Sequence, residues 1–157
     1  MGIATHLGPW LLGTNRYTTG TTAATTRNTG ATQVAQTKVV NFDDADNSNA
    51  VVLPAGSLIL GFKFITTTTF DAATTITLSL GGTAITGALT VTNPGVYSFV
   101  AAATEAAAAL WANSGTTDKF VTYTVSQGAS TAGVGQIVAE YVVRNEDGTM
   151  YQSPQQV

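Results

Sequence analysis

Strict alternation of apolar and polar residues runs through much of the chain and predicts β-strands. The clearest case is residues 75–80, where Ile76, Leu78 and Leu80 alternate with Thr and Ser. A period of two places successive side chains on opposite faces of a strand, so one face of this segment is expected to be buried. Residues 121–125 and 137–143 repeat the pattern. Each of them predicts a strand with one side in the core.

Further apolar segments and turn signals extend this pattern. Residues 34–42 predict a strand, and residues 58–65 are apolar in both alternations, which is typical of a central, mostly buried strand. Shorter strands are expected near residues 84–85, 89–92 and 97–99. Pro and Gly clusters predict turns, because Pro presets φ and Gly tolerates positive φ; these clusters are at residues 53–56, 81–82 and 93–95. Residues 43–49 predict a polar loop.

Seven or eight short strands without alternating helices predict an all-β fold, an antiparallel β-sandwich or jelly roll. We assign this fold to a single domain, residues 34–157. Residues 1–33 follow neither the strand nor the helix period and predict an extended N-terminal arm, with a first strand and a loop as the alternative. Residues 101–112 are rich in Ala and fit a helix or an irregular loop equally well.

The composition excludes most catalytic and redox chemistry. Only 10% of the 157 residues are charged, against about 25% in a typical soluble protein. There is no Cys, and the single His lies in the predicted arm. Disulfides, Cys-ligated metals and a His-based nucleophile site are therefore ruled out. We predict a protein that is not an enzyme and has no catalytic residues, cofactor or bound metal.

Charge and hydropathy also limit the partners. The six Lys and Arg residues are scattered along the chain, so no nucleic-acid-binding patch is predicted. No apolar stretch approaches the roughly 18 residues that a membrane helix needs. The first Lys or Arg is Arg16, so a secretory signal is not expected at the N-terminus.

Two motifs have a chemical interpretation that we consider weaker than a structural one. The acidic loop 43–49 matches the first positions of a calcium loop, but it lacks the Gly at position 6 and the Glu at position 12. Gly133 and Gly135 match the start of a dinucleotide motif, but Val138 stands where the third Gly is needed. We therefore predict a solvated loop and a strand start.

Sugar chemistry is the other class that the residues leave open. A glycosidase needs two carboxylates that flank the sugar. Glu105, Glu140 and Glu146 are the candidates, but their spacing in the sequence does not indicate that any two of them form such a pair. Trp111 and the tyrosines could form a stacking platform for a carbohydrate. However, Tyr97, Tyr123 and Tyr141 fall in strand alternations, and we predict that they pack in the core.

Several segments of the first 100 residues resemble virion proteins of tailed bacteriophages. They are residues 53–59 (LPAGSLI), 70–76 (FDAATTI), 80–82 (LGG) and the opening residues 2–14 (GIATHLGPWLLGT). The pattern looks most like head decoration (cement) proteins, with cyanophage-type phages as the source. These segments are turn and strand patterns and contain no catalytic signature.

The resemblance implies a β-sandwich, often trimeric, that sits on the outer surface of the head and clamps neighbouring major capsid subunits. It implies a protein made in the host bacterial cytoplasm and located in the virion, with no catalytic residues to carry over. The residues that we predict to contact the capsid are in the arm: His6, Trp10, Leu11, Leu12, Arg16 and Arg27. For Trp10, a docking anchor and an N-terminal plug are equally compatible with the sequence. A tail, baseplate or fibre component is the alternative, and a carbohydrate-binding module is a weaker one.

Overall fold

The computed structural model describes residues 32–126 and 129–143, which belong to one compact unit, Thr32–Thr149. The predicted division into an arm and a domain reaches beyond these residues and stays a prediction. The described part holds nine strands and one helix. In chain order they are β1 (Thr32–Asn41), β2 (Ser48–Leu53), β3 (Leu58–Thr68), β4 (Thr74–Leu80), β5 (Thr83–Ala84), β6 (Leu89–Val91), β7 (Gly95–Ser98), α1 (Glu105–Ala112), β8 (Lys119–Ser126) and β9 (Val134–Val143).

The strands form two antiparallel sheets with the strand order of a jelly roll. Sheet I has the order β1-β9-β3-β7, and sheet II has the order β2-β8-β4-β5, with β6 also paired to β4. Strands β1 to β4 alternate between the sheets along the chain, as do β7 to β9, which is how a jelly roll is wound. The all-β sandwich predicted from the sequence is confirmed.

The core lies between the sheets and is built by the predicted alternation. Ile76, Leu78 and Leu80 on β4 are fully buried, while the Thr and Ser residues between them are half-buried on the outer face. Strands β8 and β9 alternate in the same way, and Tyr123 and Tyr141 are both 2% exposed. Burial of such side chains, worth about 1.5–3 kcal/mol each, is the main force that holds the sheets together.

Strand β2 was not predicted, and the loop prediction for residues 43–49 is wrong at its end. Ser48 and Asn49 belong to β2, which pairs with β8. The register shifts between Asn49 and Val51, so the strand carries an irregularity that interrupts simple alternation. Val51 and Leu53 nevertheless point into the core.

A β-bulge in β3 changes the face on which its apolar residues lie. Ile59 pairs with Tyr141 and Gly61 pairs with Glu140, which leaves Leu60 as the extra residue. Ile59 is buried before the bulge and Phe62 after it, whereas Leu60 is 45% exposed. The strand is central in sheet I as predicted, but its alternation does not run unbroken.

Residues 105–112 form a helix, which settles the alternative left open by the sequence. Thr104 caps its N-terminus, where the side chain accepts a hydrogen bond from the amide of Ala107 at 3.1 Å. The helix ends at Ala112, before Asn113. Ala107 is buried.

Gln36 joins the open edges of the two sheets. It lies on the inward side of β1, and its Nε2 donates to the carbonyl of Val52 on β2 at 3.0 Å and also contacts the hydroxyl of Tyr141. Strands β1 and β2 are edge strands of different sheets. A polar side chain that interrupts the apolar pattern of β1 therefore closes one side of the sandwich.

Thr66 leaves a polar atom unpaired inside the sandwich. It is 3% exposed, and its hydroxyl has no hydrogen-bond partner within the described part of the chain. A buried hydroxyl without a partner loses its hydration without compensation. We expect Thr66→Val, which keeps the shape and removes the hydroxyl, to raise the free energy of unfolding by about 1 kcal/mol. Urea unfolding measures this; Thr77→Val on an outer face is the control, and an equal gain there would contradict the explanation.

Candidate interaction surfaces

The outer face of sheet II carries an array of hydroxyl groups on β4, β8 and β6. Across the β4–β8 pair, Thr or Ser on one strand is always opposite Thr or Ser on the other, in the pairs Thr75–Ser126, Thr77–Thr124 and Ser79–Thr122. Thr90 on β6 extends the array beyond Thr75. β-Branched residues suit a strand, and their hydroxyls keep the surface polar without adding charge. We call this surface the hydroxyl face.

The outer face of sheet I is apolar by comparison. Three of the five large hydrophobic residues exposed in the described chain lie on its strands: Val39 (49% exposed), Leu60 (45%) and Val96 (67%). Val100 (75%) follows the end of β7, and Phe120 lies on sheet II. We call this surface the valine face. Composition alone indicated neutral outer surfaces but did not show that the two faces differ.

The valine face contains a single ion pair. Lys63 Nζ lies 2.8 Å from Glu140 Oε1, and the two side chains are 44% and 30% exposed. Lys63 and Glu140 are on the adjacent strands β3 and β9. At this exposure the pair adds little to stability, but it neutralises both charges on the face.

Asp44 in the acidic loop has a structural role. Its Oδ2 accepts hydrogen bonds from the Tyr123 hydroxyl at 2.6 Å and from the Asn41 amide at 2.9 Å. Burial tends to raise the pKa of Asp44, but these hydrogen bonds outweigh it and hold the pKa below its ordinary value. Burial, followed by the bond to Asp44, raises the pKa of Tyr123. The loop between β1 and β2 is thereby fixed to β8.

We expect Tyr123→Phe to lower the free energy of unfolding by about 1–2 kcal/mol, because it removes a hydrogen bond to a charged group. Chemical denaturation at neutral pH measures the loss. Tyr97→Phe is the matched control, since its hydroxyl bonds the Asn93 carbonyl at an exposed position and is expected to matter less. Equal losses for the two variants would show that the charge of Asp44 contributes nothing.

A second carboxylate, Asp71, holds the β8–β9 loop. Its two oxygens accept hydrogen bonds from the hydroxyls of Ser130 (2.6 Å) and Thr131 (2.5 Å) and from the amides of Thr131 (2.8 Å) and Ala132 (3.3 Å). The Ser130 hydroxyl has the largest effect, and together the donors place the pKa of Asp71 well below its ordinary value. Asp71 lies in residues 70–76 (FDAATTI), one of the segments that resemble phage virion proteins.

This arrangement predicts that acid weakens the folded state through Asp71. Below about pH 4 the unfolded chain takes up a proton that the folded chain does not, so the free energy of unfolding decreases as the pH falls. We expect Asp71→Asn to be less stable than the natural chain at pH 6 and the difference to become smaller at pH 3. Urea unfolding at both values tests this. Thr67→Val removes no acidic group, so its free energy of unfolding is expected to differ from that of the natural chain by the same amount at both pH values. The prediction is contradicted if the difference for Asp71→Asn is also the same at pH 6 and pH 3.

The structure gives packing roles to the residues for which a sugar site was considered. Trp111 donates from Nε1 to the Ile85 carbonyl at 2.7 Å, and its ring meets Phe62 edge-on with the centroids 5.7 Å apart. It is half-buried and packs against the core. Tyr123 and Tyr141 are in the core as predicted, and Tyr97 packs against it.

The carboxylates considered for a glycosidase lie on different elements or outside the described chain. Glu140 is paired with Lys63, Glu105 lies in the first turn of α1, and Glu146 lies outside the described residues. Over residues 32–126 and 129–143, no three His, Cys, Asp or Glu side chains are grouped so that they could hold a metal ion. None of the helical segments in the same ranges has the length and hydropathy to cross a membrane.

Gly133 and Gly135 make room for two aromatic rings. A Cβ atom on Gly133 would collide with the ring of Phe70, and one on Gly135 would collide with the ring of Phe64 and lie 2.8 Å from the Ile65 carbonyl oxygen. The two phenylalanines are fully buried, with ring centroids 6.1 Å apart. The motif that resembled a nucleotide site is a packing site at the start of β9.

All six residues predicted to contact the capsid lie outside the described part of the chain. They are His6, Trp10, Leu11, Leu12, Arg16 and Arg27. Their role stays a prediction from the sequence. The sequence did not distinguish the two outer faces of the sandwich. The strand register shows which side chains lie together on each face.

No family model matches the chain, and no curated protein matches it. Among solved structures, the chain is similar to one from the acidic stable capsid structure of Helicobacter pylori bacteriophage KHP30, with a TM-score of 0.47 and 13% sequence identity. The similarity covers 72% of this chain and 93% of that chain.

Proposed function

We propose that this protein is a structural protein of a phage virion, a decoration protein that binds the outer surface of the head as a homotrimer and stabilises the lattice of the major capsid protein. The observation that carries the proposal is the nature of the outer faces of the sandwich. Within the described residues, their strands present mainly hydroxyl and aliphatic groups, with Phe120 and Gln136 among them, and the charges Lys63 and Glu140 are paired with each other.

Such faces suit a protein whose role is to be covered by neighbours. A charge that is buried at an interface without a partner is costly, whereas hydroxyl and methyl groups can be covered at small cost. Many modest contacts of this kind reinforce each other in a symmetric shell. The sequence resemblance to decoration proteins supports the same conclusion.

The capsid contact itself is assigned to the arm. Trp10, Leu11 and Leu12 form an apolar cluster in a segment with few charges, and an extended segment can cover a wide area of a partner. His6, Arg16 and Arg27, in the same arm, are proposed to add polar contacts. The major capsid protein is the proposed partner.

Electron microscopy of reconstituted heads tests the proposal. Heads of the phage that encodes this chain, prepared without it, are mixed with the purified protein and imaged. We expect regular density on the outer surface of the head. Density on the tail alone would assign the chain to a tail, baseplate or fibre instead, and density on neither would overturn a structural role in the virion.

A pair of variants tests the arm in the full chain. The triple variant Trp10→Ala, Leu11→Ala, Leu12→Ala is expected to lose head binding, because the apolar anchor is gone. The matched control, Thr21→Ala with Thr22→Ala, changes the same segment without touching the cluster. Normal head binding by the triple variant would remove the arm from the mechanism while leaving the proposed location intact.

A further inference from the structure

The strand register brings the start of β1 and the end of β9 together at one end of the sandwich. Thr32 lies opposite Val143 on β9. Leu58, the first residue of β3, lies opposite the adjacent Val142. Residues 1–31 precede Thr32, so the chain enters the sandwich at this point. We call this end of the sandwich the entry end.

Connections between other strands form the rest of the entry end. They are residues 54–57 between β2 and β3, residues 81–82 between β4 and β5, and residues 113–118 between α1 and β8. The Ala55 amide donates to Asp118 Oδ1 at 2.9 Å. The Gly56 amide donates to the Gly115 carbonyl at 2.7 Å. Two of these connections are therefore bonded to each other and form a single surface.

The opposite end of the sandwich, where β1 and β3 both end opposite Val134, carries four of the seven carboxylates in the described chain. Three aspartates lie in residues 43–46, between β1 and β2, and Asp71 lies between β3 and β4. Lys38 on β1 attracts Asp44, but a single Lys cannot balance four aspartates. We call this end of the sandwich the acidic end.

We infer that the entry end faces the capsid and that the acidic end points outwards from the head. The inference rests on the proposed function and adds which end of the sandwich meets the major capsid protein. The proposed contact residues lie between His6 and Arg27, in the segment that leads into Thr32, so the sandwich is tethered to the capsid at the entry end. The 10 residues of β1 separate the two ends by about 30 Å.

Charge favours the same orientation independently of the arm. Asp43 and Asp46 are exposed, and an interface that covered them would need matching positive charges from the partner to offset their lost hydration. The entry end carries Asp118 and Lys119 next to each other, so their charges cancel. Asp118 is also bonded to the Ala55 amide. The entry end can therefore be covered at a smaller cost than the acidic end.

Cysteine labelling tests this orientation, because the natural chain has no Cys. Thr117→Cys places a thiol on an exposed residue of the entry end, and Ala45→Cys places one on an exposed residue of the acidic end. Each full-length variant is bound to heads prepared without the protein and is then treated with a maleimide-linked polyethylene glycol, a bulky reagent for thiols. We expect Thr117→Cys to lose most of its labelling on heads and Ala45→Cys to keep it.

The free proteins are the matched controls. Both variants are expected to be labelled equally before they bind, since both positions are exposed, and a mass shift on a denaturing gel measures the labelling. Sedimentation with heads measures how much of each variant is bound. Labelling before binding gives a second measurement: the labelled Ala45→Cys protein is expected to bind heads, and the labelled Thr117→Cys protein is expected to lose binding.

The pattern of labelling on heads separates the outcomes. Protection of Ala45→Cys with full labelling of Thr117→Cys would overturn the inference, because the acidic end would then face the capsid. Equal labelling of the two bound variants, whether both react or both are protected, would also overturn it. In each of these cases the proposed function stands, since the variants are bound to the heads. Failure of the natural chain to sediment with heads would overturn the proposed function itself, and the inference with it.

Discussion

Gly135→Ala is expected to lower the free energy of unfolding by about 3 kcal/mol, because a core that is already filled must absorb an added methyl group. The methyl group would meet the ring of Phe64 and the carbonyl oxygen of Ile65, which lies 2.8 Å from the Cβ position. The ring is fully buried, and the carbonyl belongs to the adjacent strand β3, so neither can move freely. Urea unfolding followed by circular dichroism measures the loss.

Gly61→Ala is the matched control on that adjacent strand. A Cβ atom there meets nothing within 4 Å, so the substitution is expected to raise stability by about 0.5 kcal/mol through lower backbone entropy of the unfolded chain. Phe64→Leu combined with Gly135→Ala is expected to cost less than the sum of the two changes, because the smaller side chain relieves the collision. Equal effects of Ala at the two glycines would show that Phe64 does not determine the requirement for Gly135.

Phe62→Ala is expected to lower the free energy of unfolding by about 3–5 kcal/mol, which is the largest change in stability that we predict. Phe62 is 2% exposed and packs edge-on against Trp111, so truncation leaves a cavity and removes an aromatic contact between β3 and α1. Equilibrium unfolding in urea measures the change.

Phe120→Ala is the matched control, because it also removes a phenyl ring but from an exposed position. Phe120 is 51% exposed on β8, and its loss is expected to cost less than about 1 kcal/mol. Comparison of the two variants separates cavity formation from any general effect of removing a phenyl ring. A cost at position 62 as small as that at position 120 would mean that the sheets repack around α1.

The sequence predicted the local elements well where one period dominates. Strands β4, β8 and β9 follow an unbroken alternation, and their buried residues could be named in advance. The bulge at Leu60 could not be predicted, since it depends on how β3 pairs with β9, which lies about 80 residues further along the chain. Strand β2 was missed because its register shifts near its start.

The candidate surfaces could be predicted only in part, for a similar reason. A low content of charge indicated neutral outer faces, and Thr at alternate positions indicated the hydroxyl face. The valine face joins side chains from four strands that are far apart in sequence, including Val39 and Val96. Only the register of the sheet brings them together, and no single segment carries that information.

The position of β9 in sheet I limits the order in which the two sheets can fold. The last described strand lies between β1 and β3, so sheet I stays in two separate parts until residues 134–143 are available. On the ribosome, β1 must wait for about 100 further residues before its partner is synthesised. Topologies with such distant pairings fold slowly, in milliseconds to seconds. Sheet II, which is complete by residue 126, has all of its strands available first, and nascent chains stalled before residue 134 are expected to present the unpaired edges of β1 and β3 to the cell's chaperones.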